Sequence, residues 1–338
     1  MNKRNEIFIN ELKNRGVDCT NLILPENIDF EFISGTEIRM TFPKKVVSTN
    51  MQEDSVAFEG WILTLYCLGK KKIENLNIIM NIKNDARKSF VQLGEEKENR
   101  GHYNRFIYRL SKFIKQFPFA SMDSYLSAEI KGKIDTFYFN GNYKFINDEK
   151  LVSNKPEKEA DCNQHPEMIV EKYISENPSA VINKTKEITN TSIGNLYRQL
   201  PVGIFFEEKT NDTRVFTGGA SAIDLWGIDD EKKTLCIYEL KIKENYKVGI
   251  ISELYFYANL MMDLYGSNPA FITKDKSKKY YRGFENLANV KTVEKVEAFF
   301  LVEKLHPLIT DDVIEMMSSK KIEFNKILYS KNCIVTIE

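Results

Sequence analysis

Ile223-Asp224-Leu225-Trp226-Gly227-Ile228, then Asp229-Asp230-Glu231-Lys232-Lys233, then Thr234-Leu235-Cys236-Ile237-Tyr238-Glu239-Leu240-Lys241-Ile242, is the stretch that decides how this chain is read. Two apolar runs flank a polar, turn-forming pentapeptide, the pattern of two strands joined as a hairpin. Each run carries charge where a buried strand normally has none. In the second run the two-residue period of a strand sets Glu239 and Lys241 on one face and Leu240 on the other. The hairpin then brings Asp224 alongside Glu239. Two carboxylates pressed together repel unless a cation lies between them, and an unpaired buried charge is expensive, so the pattern calls for an ion partner or a metal. Oxygen donors of this kind suit Mg²⁺ or Mn²⁺. A buried ion pair with no chemistry attached is the plainer alternative, and an E-x-K triplet alone does not separate the two.

The chemistry these groups fit is phosphodiester hydrolysis. A divalent ion polarises a phosphoryl oxygen and activates water, and the Lys241 ammonium orients that water or stabilises developing charge. Two further motifs flank the hairpin in order. Upstream lies Glu167-Met168-Ile169-Val170-Glu171-Lys172-Tyr173-Ile174-Ser175-Glu176-Asn177-Pro178, and downstream Glu253-Leu254-Tyr255-Phe256-Tyr257-Ala258.

With these motifs in this order, residues 165 to 275 resemble the PD-(D/E)XK nuclease superfamily, in particular its NucS-like, Shedu-like and RecB-like branches. The resemblance implies an α/β fold with a restriction-endonuclease-like core, a mixed sheet flanked by helices. It implies a catalytic set of Asp224, Glu239, Lys241 and Glu167, a metal site at Asp224, Glu239 and Leu240, and supporting roles for Glu171, Glu253 and Tyr257. Glu171, one turn beyond Glu167 on the same helix, is the alternative occupant of the helix-carboxylate position. Glu253 stands where the family has glutamine, so its charge either adds a ligand or repels phosphate. Plain core packing of this downstream helix is the competing account. Ala270-Phe271-Ile272-Thr273 and Ala298-Phe299-Phe300-Leu301-Val302 read as later strands.

At 338 residues the chain exceeds the usual single-domain length, so two domains are expected. The polar, proline-containing run near 147 to 165 marks the boundary: an α+β N-terminal domain over 1–148, a linker over 149–164 and the nuclease domain over 165–338. In the first domain Glu6 to Arg15 and Tyr103 to Phe117 read as helices, Glu37 to Phe42 and Asn75 to Ile82 as strands. Asp135 to Phe139 and Tyr143 to Ile146 read as a hairpin about Asn140-Gly141-Asn142. This domain matches no recognised family and is expected to recognise a target or partner.

Lysine plus arginine balance aspartate plus glutamate at 48 each, so a nucleic-acid partner must be held by local basic surfaces. Two suggest themselves. Arg105, Arg109 and Lys112 share one helical face, spaced to meet successive phosphates, with an ordinary solvated face as the simpler reading. Lys274, Lys276, Lys278, Lys279 and Arg282 surround Tyr280 and Tyr281, a basic loop with aromatic residues fit to track a backbone and stack on bases. His102, His165 and His306 have no metal-ligand spacing and read as packing or surface residues. Five scattered cysteines, no close pair, no leader-like N-terminus and no long apolar run give the expectation of a cytoplasmic protein without a membrane segment.

The expected function is Mg²⁺- or Mn²⁺-dependent endonucleolytic cleavage, of DNA by the family's habit, in restriction, anti-phage defence or DNA repair. A homodimer or a defence-system partner protein is compatible with it. A nucleotide or RNA-end phosphohydrolase, and a catalytically silent nuclease fold that binds or scaffolds, are the competing classes.

Overall fold

The computed structural model describes residues 2–83, 92, 96–133, 139, 142–145, 166–217, 221–243, 247–266, 283, 286–287, 290, 292–331 and 335–338. The segment read as a linker, the basic loop with Lys276, Lys278, Lys279 and Arg282, the strand expected at 270–273, and residues 135–138 of the expected hairpin lie outside them.

The chain is mixed α/β, with two larger mixed sheets. The first contains β1 (Asp29–Phe32), β2 (Glu37–Phe42), β3 (Asn77–Ile82) and β4 (Ala120–Met122) in that spatial order. Helix α1 (Lys3–Asn14) precedes it and is capped by the Asn2 side chain, which accepts from Asn5 N. Helices α2 (Phe58–Gly69) and α3 (Arg100–Gln116) cross over between successive strands, so β2, β3 and β4 run parallel and only β1 is antiparallel. The α+β expectation for this half is thereby corrected to helix-connected parallel strands. Periodicity reported the elements but not their direction. The strand expected from Asn75 starts two residues later because Asn75 is in the left-handed region, at φ 54.

The second sheet runs β12 (Val335–Ile337), β11 (Ile322–Lys331), β10 (Lys295–Val302), β9 (Thr234–Lys241), β8 (Ala222–Asp229), β6 (Tyr197–Pro201). β6, β8 and β9 form an antiparallel meander, while β10 is parallel to β9 and to β11. Helices α5 (Pro166–Glu176) and α6 (Ser179–Thr189) precede the meander, and α7 (Ile250–Met261) connects β9 to β10. Between β4 and α5 come helix α4 (Ser124–Ile130) and strand β5 (Tyr143–Phe145). β5 pairs with β7 (Ile204–Phe206), so the second arm of the expected hairpin joins the C-terminal half of the chain. No helix among the described residues is long and apolar enough to cross a membrane.

Although the strands of the two sheets pair only among themselves, their helices share one core. A single buried cluster extends from Phe8 through Trp61, Phe106 and Phe113 to Tyr255, Leu260 and Phe324. Helix α7, buried along its whole length, is its axle. On one side it covers β9 and β10, and on the other it meets α2 and α3, with Tyr108 edge-on to Phe256 at 5.7 Å and Phe113 edge-on to Tyr255 at 6.0 Å. Gly249, just before α7, permits the closest approach: a Cβ there would collide with the Gln52 carbonyl. The N-terminal half therefore abuts the start of α7.

Candidate metal and hydrolytic centre

β9 is buried at every position, yet it ends on two charges, Glu239 at 2% and Lys241 at 6% exposure. Leu235 and Ile237 point with them into the shared core, whereas Cys236, Tyr238 and Leu240 belong to a second cluster on the opposite face, with Val170, Ile174 and Phe299. The side-chain alternation expected from the sequence is thus present. The β8–β9 register pairs Trp226 with Ile237 and Leu225 with Tyr238, and its next step sets Asp224 opposite Glu239. There the ladder gives way to a side-chain bond: Asp224 Oδ2 accepts from Leu240 N at 2.8 Å.

Lys241 is the hub. Its ammonium pairs with Glu239, lies 3.5 Å from Glu253 Oε2 and 4.0 Å from Glu167 Oε1, and donates to the Leu240 carbonyl at 3.0 Å. Three elements converge here, with Glu239 from β9, Glu253 from the first turn of α7 and Glu167 from the first turn of α5. Of the two helix carboxylates, Glu167 is the one that reaches Lys241. Glu171 is held by β6 instead, accepting from Arg198 Nε at 2.9 Å and Gln199 Nε2 at 2.8 Å.

The electrostatics show how crowded this end of the sheet is. Burial pushes the Asp224 carboxyl up to about 7, with Lys241 pulling it down and Glu171 pushing it up. Burial, then Asp224 and Glu253, push Glu239 well above the carboxylate range. Burial opposes the charge on Lys241, but Glu239, Glu253, Asp224 and Glu167 together hold its pKa well above that of an ordinary lysine. Tyr257, one turn beyond Glu253, is driven far up by burial and the same carboxylates, so its hydroxyl stays protonated.

Among the described residues no three His, Cys, Asp or Glu side chains are grouped closely enough to enclose a metal, and the Lys241 ammonium stands among the carboxylates. The donor set nevertheless suits a hard cation. Asp224, Glu239, Glu253 and Glu167 face one lysine, and Glu167 Oε1 and Glu253 Oε2 are buried without a hydrogen-bond partner. Buried carboxylate oxygens in that state are stabilised by an additional cation.

The N-terminal half also enters the site, which the sequence did not show. Gln52 Nε2 donates to Glu253 Oε1 across 201 residues of chain. Arg105 and Arg109, read as sharing a face that could meet phosphates, are buried, at 6% and 3% exposure. Arg109 forms a bidentate pair with Glu59, which also accepts from Ser252 Oγ at 2.7 Å, so its charge is spent on joining α2, α3 and α7. Lys112 is partly exposed and pairs with Asp263 at 2.6 Å. The helix face is right, but it looks inward, because α7 rather than solvent lies against it. His102, read as a packing or surface residue, accepts from Arg105 Nη2 at 3.2 Å. Its spacing of three from Arg105 was the available signal.

No protein-family model matches the chain, and no curated protein or solved structure does either.

Proposed function

We propose that the chain is a divalent-metal-dependent nuclease that hydrolyses phosphodiester bonds, with DNA as the expected substrate and restriction, anti-phage defence or DNA repair as its setting. The observation that carries this reading is the convergence of Asp224, Glu239 and Glu167 on Lys241 at one end of a sheet, with a buried carboxylate oxygen left without a hydrogen-bond partner. The connectivity supports it: helix, three-stranded antiparallel meander, helix, then a strand parallel to the third is the arrangement expected of a PD-(D/E)XK core.

Asp224, Glu239 and the Leu240 carbonyl would hold Mg²⁺ or Mn²⁺, with Glu167 and Glu253 as further donors. When bound, such an ion supplies Lewis acidity toward a phosphoryl oxygen and toward water. The chain's own groups do the rest. Glu239 and Glu253 keep Lys241 charged despite its burial. The Lys241 ammonium can hold a water in line with phosphorus and stabilise charge gathering on the phosphoryl oxygens. Glu167, partly exposed on α5 and 4.0 Å from Lys241, would accept a proton from that water. Tyr257 stays protonated and can donate a hydrogen bond.

A second reading has its own observation. Lys241 already neutralises part of the cluster, as it would in a silent nuclease fold that only binds. Turnover separates them. Wild type, Asp224→Ala and Lys241→Ala are incubated with plasmid, linear and single-stranded DNA and with RNA, in Mg²⁺, Mn²⁺ or EDTA. Cleavage by wild type alone, and only with metal, is expected; equal cleavage by the variants would sink the proposal, and binding without cleavage would support the silent fold.

A further inference from the structure

A guanidinium withdrawn from water is stabilised by an anion in contact with it, and among the described residues Arg105 forms no ion pair, Glu253 and Glu59 acting on it only at longer range. It is 6% exposed, and its one side-chain hydrogen bond among the described residues goes to His102 Nδ1, a neutral acceptor. Arg109, one turn later on α3, is the contrast, since both carboxylate oxygens of Glu59 accept from its Nε–Nη2 edge. A buried charge with no anion in contact is costly, and the cost is lowered when a ligand supplies a counter-charge at hydrogen-bond distance.

The placement of Arg105 says which ligand. Through Glu59, Arg109 is bonded to Ser252, the neighbour of Glu253. On the other side of Arg105, Gly101 packs so closely on the segment leading to β8 that a Cβ would lie 2.8 Å from Thr217 N. Asn104 secures the same segment, donating to the Val215 carbonyl at 2.9 Å. Arg105 thus stands between the approach to Asp224 and the start of α7, where Glu253 is. It is within electrostatic reach of Glu253 and Tyr257.

Its support is equally specific. Burial and then Arg105 itself hold the His102 pKa down at about 4, so the imidazole is neutral at physiological pH. A neutral ring can accept one N–H of the guanidinium and fix its plane without adding charge. The remaining N–H groups are left to present a fork, the geometry that matches two non-bridging phosphate oxygens. A centre so rich in carboxylates repels a polyanion, and a fixed arginine at its edge offsets that repulsion.

We infer that Arg105, steadied by His102, is a phosphate-binding position that the N-terminal half of the chain supplies to the Lys241 centre. The inference deepens the nuclease reading, and rests on it for the identity of the phosphate as part of a nucleic-acid backbone. Arg105 then contacts substrate, and the first sheet with its helices completes the site rather than only recognising a target.

The test uses inorganic phosphate, titrated into the full-length chain with Mg²⁺ and followed by ³¹P line width and by the His102 imidazole resonance. Wild type is expected to bind saturably with a shift of that resonance. Arg105→Gln should weaken phosphate binding by about tenfold or more, the value of one charge-assisted contact. Arg105→Lys should fall between, because it keeps the charge and loses the fork. If Arg105→Gln does not fold, Arg105→Lys decides the matter. Affinity unchanged by either folded variant, an unmoved His102 resonance, or no saturable binding by wild type would each overturn the inference. None of these readouts needs turnover: a chain that binds phosphate through Arg105 and cuts nothing sinks the nuclease reading alone.

Discussion

The Gln52 amide donates to Glu253 Oε1 while the other oxygen of that carboxylate lies 3.5 Å from the Lys241 ammonium, so a residue before α2 orients a charge in the Lys241 cluster. Glu253 stands where the resembling family has glutamine, and its charge helps to hold Lys241 protonated. Glu253→Gln is therefore expected to weaken Mn²⁺ binding by about tenfold, on the scale of one lost charge-assisted contact. Isothermal titration of Mn²⁺ into both chains checks this, and equal affinities would show that Glu253 takes no part in holding the ion.

Removing Gln52 tests the other half of the contact. Gln52→Leu strands a buried carboxylate oxygen and should cost about 1–3 kcal/mol in urea unfolding. Combined with Glu253→Leu, much of that cost should disappear, because the stranded carboxylate is then gone.

How much of this was legible beforehand follows from the range of the interactions. The alternation that puts Glu239 and Lys241 together is a local rule, and the polar turn between Asp229 and Thr234 made the β8–β9 pairing readable. The motif helices Pro166–Glu176 and Ile250–Met261 were read from the family resemblance instead, since Ile250–Met261 is buried at every position and carries no one-sided apolar stripe. Gln52 was not legible, and of Arg105 only the helical face was. One polar residue in a loop and one cation on an amphipathic helix carry no local mark of a group brought to them from 201 or about 148 residues away. The stripe of Arg105, Arg109 and Lys112 marks the limit of such reading: periodicity gives a shared face but cannot say whether that face meets water or, as here, α7.

Asp224 gives the metal-free chain a pH dependence whose sign can be worked out. Its pKa in the folded state is about 7, against an ordinary 3.8, so between those values the folded chain holds a proton that the unfolded chain has released. That contribution to stability is complete below 3.8 and is lost as the pH rises through 7. Burial shifts Glu239 in the same direction. In EDTA, the urea midpoint should fall as pH rises from about 5.5 to about 8, and Asp224→Asn should flatten the trend. A wild-type midpoint that rises over this interval would contradict the burial of these carboxylates.

The same proton competes with the metal. A ligand must be deprotonated to bind a cation, so the apparent Mg²⁺ affinity should rise by at least about tenfold per pH unit below the Asp224 pKa and go on rising while Glu239 releases its proton. Mg²⁺ titrations at a series of pH values, read by the thermal midpoint, would show the slope. Asp224→Asn should bind weakly throughout with a shallower slope, and a wild-type affinity independent of pH would place the ion elsewhere.

The buried Glu59–Arg109 pair, with Ser252 donating to Glu59, is the polar bolt between α2, α3 and α7. Cutting one side leaves a charge in the core: Arg109→Leu should cost about 3–5 kcal/mol in chemical unfolding. The double variant Glu59→Leu, Arg109→Leu removes both charges from a site already lined by Phe58, whose ring lies 4.8 Å from the Arg109 guanidinium. It should recover most of the loss, because an apolar replacement for a whole buried pair is often neutral or better. The single variant should also release α3 from α7 and carry Arg105 away from the centre. Phosphate affinity is therefore expected to fall in Arg109→Leu, although Arg109 itself is fully engaged with Glu59, and to return in the double variant as the helices repack.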